Sequence, residues 1–217
     1  MTTPLLATAV CCLAALLIAE KCGSVTGKLI FKPLLSALFI YAALLQLKPV
    51  PAYATALLVG LCLSWIGDLL LIFKSKSLFL AGLCAFLLGH LCYAAAFYGI
   101  GTLGLGTAAG LIVLLLPAII VFRWLQPHLG KMSGPVMGYI LVISVMVGGA
   151  LSVFGAADLP TGFRWSVLSG AIVFYLSDIF VARDTFIRSE YSNRLIGLPL
   201  YYLGQFLFAF SIGSAGI

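Results

Sequence analysis

The chain is a succession of apolar runs, each long enough to cross a lipid bilayer, joined by short connections that contain Pro, Gly or Lys. A helix needs about 20 apolar residues to span the hydrocarbon core of a membrane. With 63% hydrophobic and only 8% charged residues and a mean hydropathy of +1.21, the chain cannot surround a core with a wetted surface. The sequence therefore predicts an all-α integral membrane protein.

The runs recur along the whole chain and leave no segment for a separate soluble domain, so residues 1–217 form a single polytopic domain in this interpretation. The hydropathy predicts eight transmembrane helices, over 3–19, 29–47, 52–73, 78–98, 103–125, 135–155, 165–182 and 195–215.

The basic residues fall mostly on one side of this arrangement. Only Lys48 and Arg164 belong to the even-numbered connections. The odd-numbered connections and their flanks hold Lys21, Lys28, Lys32, Lys74, Lys76, Arg123, Lys131, Arg183, Arg188 and Arg194. The positive-inside rule then puts the odd connections in the cytoplasm and both termini on the other side. These charges either set topology alone or also bind lipid headgroups. The net charge of +6 is scattered, so no nucleic-acid partner is expected.

Two of the apolar runs each contain one acid, Asp68 in Ser64–Leu71 and Asp178 in Phe174–Phe180. A carboxylate at membrane depth costs a few kcal/mol or more, so it marks a functional site by default. Each acid precedes a basic residue by five or six positions, which at ~1.5 Å per residue places both about 7–9 Å inside the cytoplasmic boundary. We expect the two acids to share a pocket that opens toward the cytoplasmic leaflet.

A weak internal repeat supports this pairing. The sequences WIGDLLL and LLGHLCYAAAF match YLSDIFV and YLGQFLFAFSI, which aligns Asp68 with Asp178 and His90 with Gln205. The match suggests two parallel four-helix repeats related by an axis along the membrane normal.

Other polar side chains interrupt the apolar helices. His90 is either a buried core histidine or a functional group, and Tyr93 lies one turn after it. Tyr201 and Gln205 share a helix face that Tyr202 flanks, where they either bond neighbouring helices or line a pocket.

The start of the last span carries Asn193 and Arg194, where a cation could meet a phosphate.

A metal site is not expected, because no acid is spaced near either histidine on one helix. Nucleophilic acyl transfer is not indicated either, because no GxSxG motif occurs. We expect no cofactor. The six cysteines form no CxxC pair and are interpreted as small core residues.

The Gly67-Asp68 pair, Gly89-His90 with Tyr93, Ser177-Asp178 and the run Tyr201–Gln205 together resemble the YhhN-like lysoplasmalogenase family, eight-span membrane hydrolases. The resemblance implies hydrolysis of the vinyl ether bond of lysoplasmalogens, which releases a fatty aldehyde and glycerophosphoethanolamine or glycerophosphocholine. It implies Asp68 and Asp178 as catalytic residues. The substrate-binding residues expected beside them are His90, Tyr93, Ser177, Tyr201, Tyr202, Gln205, Asn193 and Arg194. The expected partners are a lysophospholipid and membrane lipid, and the expected location is a bacterial inner membrane.

Vinyl ether hydrolysis suits two acids. One must protonate carbon, and the other, as a carboxylate, must activate water, so we expect one proton to be shared by the pair. The assignment of the two roles stays open at this point.

A proton-coupled transporter of small solutes is the alternative. Transporters often have a broken helix at the membrane midplane, and Pro117 and Pro199 lie outside the acid-bearing spans, which counts against this alternative. An intramembrane aspartyl protease fits poorly, because Trp65 stands where its motif needs glycine.

Overall fold

A computed structural model describes residues 2–47, 52–73 and 75–216, and within these ranges it contains eight α-helices and no strand. The helices are α1 (Thr2–Lys21), α2 (Val25–Gln46), α3 (Ala52–Leu70), α4 (Lys76–Ile100), α5 (Leu105–Leu129), α6 (Ser133–Gly155), α7 (Thr161–Ala182) and α8 (Tyr191–Ser214). A 3-10 turn (Gly130–Met132) joins α5 to α6, and a π-helical turn (Arg183–Ile187) follows α7. Each predicted span overlaps one of these helices, with ends that differ by up to four residues.

Seven helical segments of the described chain are long and apolar enough to cross a membrane. One of them, Leu105–Gly155, contains both α5 and α6 with the turn between them. The chain is thus a helical membrane protein, as predicted. Eight separate crossings and the orientation of the termini stay predictions, and two residues of the charge count, Lys48 and Lys74, lie outside the described residues.

The helices pack most extensively as two hairpins, α3 with α4 and α7 with α8. Helix α8 also contacts α1, α2 and α3, and helix α6 contacts α4 and α7. Helix α5 packs mainly on α6 and the π-helical turn, and its outer face exposes apolar side chains such as Ile112, Val113 and Leu116. An apolar face of this kind is suited to lipid, so α5 lies at the rim of the bundle.

In each hairpin the two helices approach each other closely at a pair of glycines, and the two pairs are equivalent in the internal repeat. A Cβ added to Gly89 of α4 would lie 3.2 Å from the carbonyl oxygen of Gly60 in α3. A Cβ added to Gly204 of α8 would lie 3.0 Å from the carbonyl oxygen of Gly170 in α7. Gly60 and Gly170 each lie eight residues before the acid of their hairpin. Gly89 and Gly204 directly precede the aligned histidine and glutamine. The internal repeat is therefore also a repeat of helix packing, with the same residues at the closest approach.

Candidate active site

A cavity opens at the end of the bundle where α3, α5 and α7 end and α4, α6 and α8 begin. It contains about 1090 Å³ of space free of protein atoms, including its mouth. Asp68 and Asp178 both line it, as the shared-pocket prediction requires. Its charged lining also includes Lys32, Asp184 and Arg194, and its apolar lining includes Phe79, Leu83, Val121, Leu125, Ile140, Ile143 and Ile179. The cavity is therefore amphipathic, with an apolar wall built largely by α4 to α7.

Asp68 lies in a strongly polar environment and is only 2% exposed. Its Oδ2 atom accepts hydrogen bonds from Ser36 Oγ and from the Tyr201 hydroxyl, both at 2.6 Å. Its Oδ1 atom is 3.1 Å from the Nζ of Lys32. A carboxylate needs such a cation and such donors when it is taken out of water. The surroundings of Asp68 therefore fit the ionised form.

Lys32 was counted in the sequence among the basic residues that set topology alone or also bind lipid headgroups, and it was not identified there as a partner of Asp68. It lies within α2, is 5% exposed, and its charge is directed at Asp68. Ser36, one turn later on the same helix face, contacts the same carboxylate. A basic residue inside an apolar run, followed by a hydroxyl at the fourth position, was the signal available in the sequence.

A chain of buried hydrogen bonds extends from Asp68 into the bundle. The Tyr93 hydroxyl donates to Gln205 Oε1 at 2.8 Å, and Gln205 Nε2 donates to the Tyr201 hydroxyl at 3.2 Å. The Tyr202 hydroxyl lies 3.1 Å from Ser36 Oγ. The structure thus brings together four of the residues predicted from the sequence. Tyr201 lines the cavity, and Tyr93, Tyr202 and Gln205 lie in the layer of side chains behind it.

Asp178 has a much less polar environment. The Tyr139 hydroxyl donates to its Oδ2 atom at 2.6 Å, and the side chain is 18% exposed. No described lysine or arginine lies within 4.0 Å of it, and the Nε2 of His90 is 4.0 Å from Oδ2. Tyr139, an aromatic residue in an apolar helix, gave no signal in the sequence. Without a compensating cation, this carboxyl group fits the protonated form better than Asp68 does.

His90 lies behind Asp178 and does not line the cavity. It is 1% exposed, and neither ring nitrogen makes a hydrogen bond of good geometry to a described residue, although the backbone carbonyl of Phe86 lies one turn before it on α4. The rings of Phe174 and Tyr139 stand edge-on to the imidazole, with centroids at 4.8 and 5.3 Å.

The internal repeat shows two positions at which the halves differ in hydrogen-bonding capacity. It aligns Tyr201, a donor to Asp68, with Phe86, and it aligns Tyr93 with Phe208. The aligned residues also touch each other, with ring centroids 5.8 Å apart in the first pair and 4.9 Å in the second. Where the polar network reaches Asp68, the equivalent positions of the other half are phenylalanines, which cannot donate a hydrogen bond.

The remaining predicted residues lie outside this hydrogen-bond network. Ser177 is fully buried, and its hydroxyl donates to the carbonyl of Phe174 in its own helix at 2.7 Å. Asn193 and Arg194, in the first turn of α8, also line the cavity. Asp184, which the sequence analysis did not identify, holds both: it accepts from Asn193 Nδ2 at 3.1 Å and from an Arg194 guanidinium nitrogen at 2.6 Å. This pairing fixes one edge of a guanidinium that is itself one-third exposed.

Residues 27–212 match the model of the YhhN family. The chain is 34% identical over 162 residues to the lysoplasmalogenase TMEM86A of Bos taurus, which covers 73% of this chain and 65% of the relative. It is 31% identical over 188 residues to a lysoplasmalogenase of Mycobacterium bovis, covering 83% and 68%. It is 29% identical over 192 residues to the membrane protein YhhN of Escherichia coli, covering 88% and 89%. The match thus spans slightly less than two thirds of the bovine relative. No solved structure matches the chain.

Proposed function

Because the chain belongs to the YhhN family, we propose that it is a membrane hydrolase that cleaves the vinyl ether bond of lysoplasmalogens. The products are a fatty aldehyde and glycerophosphoethanolamine or glycerophosphocholine. The observation that carries the proposal is the pair of acids on one cavity, one with a cation and one without. Relatives at 31–34% identity that bear the name lysoplasmalogenase support it.

In this proposal Asp178 is the acid. Its proton goes to the β-carbon of the vinyl ether, the carbon–carbon double bond becomes a single bond, and the ether carbon becomes an oxocarbenium ion. A carboxyl group in apolar surroundings is a suitable donor, because burial favours its neutral form. Asp178 is left as a carboxylate that accepts one hydrogen bond from Tyr139.

Asp68 is the carboxylate of the pair in this mechanism. Its charge stabilises the oxocarbenium ion, and it takes a proton from the water that adds to the ether carbon. The hemiacetal that forms then collapses: its hydroxyl proton passes to Asp178, and Asp68 returns its proton to the departing glycerol oxygen. Both acids regain their starting states, and one water molecule is consumed.

The lining of the cavity supports a single-chain phospholipid as the substrate. The apolar wall would hold the alkenyl chain, and Arg194 at the start of α8 would meet the phosphate.

We place the start of α8 at the cytoplasmic leaflet, with eight membrane crossings and both termini on the opposite side, in agreement with the basic odd-numbered connections. The similarity to the E. coli membrane protein over most of both chains supports the inner membrane of a bacterium as the location.

The test is aldehyde release from lysoplasmalogen by the purified protein in detergent. Asp68→Asn and Asp178→Asn are expected to lose activity while their melting and far-UV spectra remain those of folded protein. Asp158→Asn is the matched control, because Asp158 is exposed in the connection between α6 and α7 and lies off the cavity. Loss in both site variants and not in the control supports the proposal. A folded wild-type protein that releases no aldehyde, but shows Asp68-dependent solute flux in liposomes, would replace it with the transporter.

A further inference from the structure

The imidazole of His90 is a buried polar group that the mechanism above does not use. Buried polar side chains nearly always have hydrogen-bond partners, and one without any calls for a physical reason. An imidazolium at this position would leave two charged N–H groups unpaired in an aromatic environment, so the ring is neutral. One of its nitrogens, Nε2, faces the Oδ2 atom of Asp178 at 4.0 Å.

A separation of 4.0 Å is too long for a hydrogen bond, which needs about 2.7–3.2 Å between heavy atoms. A shift of roughly 1 Å would close it. The gap lies beside the carboxyl group that becomes negative in the proposed reaction. Interactions that strengthen only as charge develops lower the barrier, whereas those already formed in the resting state do not.

We propose that His90 is a positioning residue that acts through Asp178. We assign the neutral tautomer with the proton on Nε2, and this N–H group donates a hydrogen bond to the carboxylate that forms when Asp178 protonates the substrate carbon. The histidine keeps its own proton throughout, so the proton balance of the reaction is unchanged. This inference rests on the proposed function for its role in catalysis, but the contact itself can be tested without substrate.

The other groups around Asp178 leave this donor role open. Helix α6 supplies the Tyr139 hydroxyl, already bonded to the resting carboxyl group. On α7 the Tyr175 hydroxyl, one turn before Asp178, has Ser144 of α6 as its neighbour. From α8, the Tyr201 hydroxyl is directed at the other acid. Asp184 and Arg194, which also line the cavity, are paired with each other. His90 is thus the described side chain of α4 that is placed to compensate the new charge.

The kinetic test compares His90→Phe, which keeps an aromatic ring of similar size, with His90→Gln, which keeps an N–H donor. His90→Phe is expected to lower kcat by about 100-fold, the effect of removing one donor from a developing negative charge. KM should stay within twofold, because His90 does not line the cavity. His90→Gln should recover at least tenfold of the loss. Equal kcat values in both variants, or a KM that rises with the fall in kcat, would overturn the inference.

The second readout needs no activity. The ionisation of Asp178 is followed by the infrared carboxyl band that disappears in Asp178→Asn. In His90→Phe, Asp178 is expected to ionise at a higher pH than in the wild type, and in His90→Gln at a pH near the wild-type value. His90→Leu provides a second apolar variant if the phenylalanine disturbs folding. Identical titrations in wild type and apolar variants would overturn the inference, whereas absence of aldehyde release from the wild type would overturn only the proposed function.

Discussion

The buried ion pair between Lys32 and Asp68 predicts that removing one charge is more damaging than removing both. The two side chains are 7% and 3% exposed, and the distance from Nζ to Oδ1 is 3.1 Å. Lys32→Met strands a carboxylate in the bundle, and removing one partner of a buried pair costs about 3–5 kcal/mol. Replacing both by uncharged residues is often nearly neutral.

The double variant Lys32→Met/Asp68→Asn removes the unpaired charge together with its partner. We therefore expect Lys32→Met to lose about 3–5 kcal/mol of stability at pH 7, and the double variant to lose less than Lys32→Met alone.

The assay is thermal unfolding of the detergent-solubilised protein. For a chain of this size, 1 kcal/mol corresponds to about 2–4 °C, so the melting temperature of Lys32→Met should fall by on the order of 10 °C at pH 7. Lys32→Met/Asp68→Asn should melt higher than Lys32→Met alone. A single variant that melts within about 3 °C of the wild type, or a double variant that shows only the sum of the two single effects, would refute the reasoning.

Two further predictions concern the phosphate end and the helix packing. Arg194→Gln should raise KM for lysoplasmalogen by about tenfold or more, since a hydrogen bond to a charged group contributes about 1.5–3 kcal/mol; hydrolysis of a phosphate-free alkenylglycerol should be unchanged, and equal effects on both substrates would contradict a phosphate contact. Gly60→Ala places a methyl group against the ring of Tyr93 and should destabilise the protein by about 1–3 kcal/mol. Gly106→Ala, with open space around it, is the control, and equal melting temperatures would argue against the tight packing.

The helices could be predicted because apolar run length reports directly on membrane spans. The ends of the helices could not be predicted in this way. An apolar run ends where polar residues begin, whereas the backbone hydrogen bonds of a helix continue through polar residues. Helix α2 begins at Val25, four residues before the predicted start, where the Ser24 hydroxyl caps it by accepting from the Gly27 N–H at 3.1 Å. Helix α5 continues through Pro127 to Leu129, across the connection expected from its proline and glycine.

The acids of the site could be predicted because a carboxylate stands out in an apolar helix. Their partners could not, because they are defined by contacts between helices distant in sequence. Lys32 looked like one basic residue among several near a membrane boundary, and Tyr139 like one aromatic residue among many. The proposed division of labour between the acids rests on these two contacts, so a single sequence left it open.

The doubled hairpin also has a consequence for how the halves depend on each other. His90 belongs to the hairpin of Asp68 yet faces Asp178, while Gln205 belongs to the hairpin of Asp178 yet connects through Tyr201 to Asp68. Each hairpin thus contributes a polar side chain to the surroundings of the acid on the other hairpin, in addition to the contacts that come from α2 and α6. A substitution at His90 or Gln205 therefore changes the surroundings of the carboxyl group on the opposite hairpin.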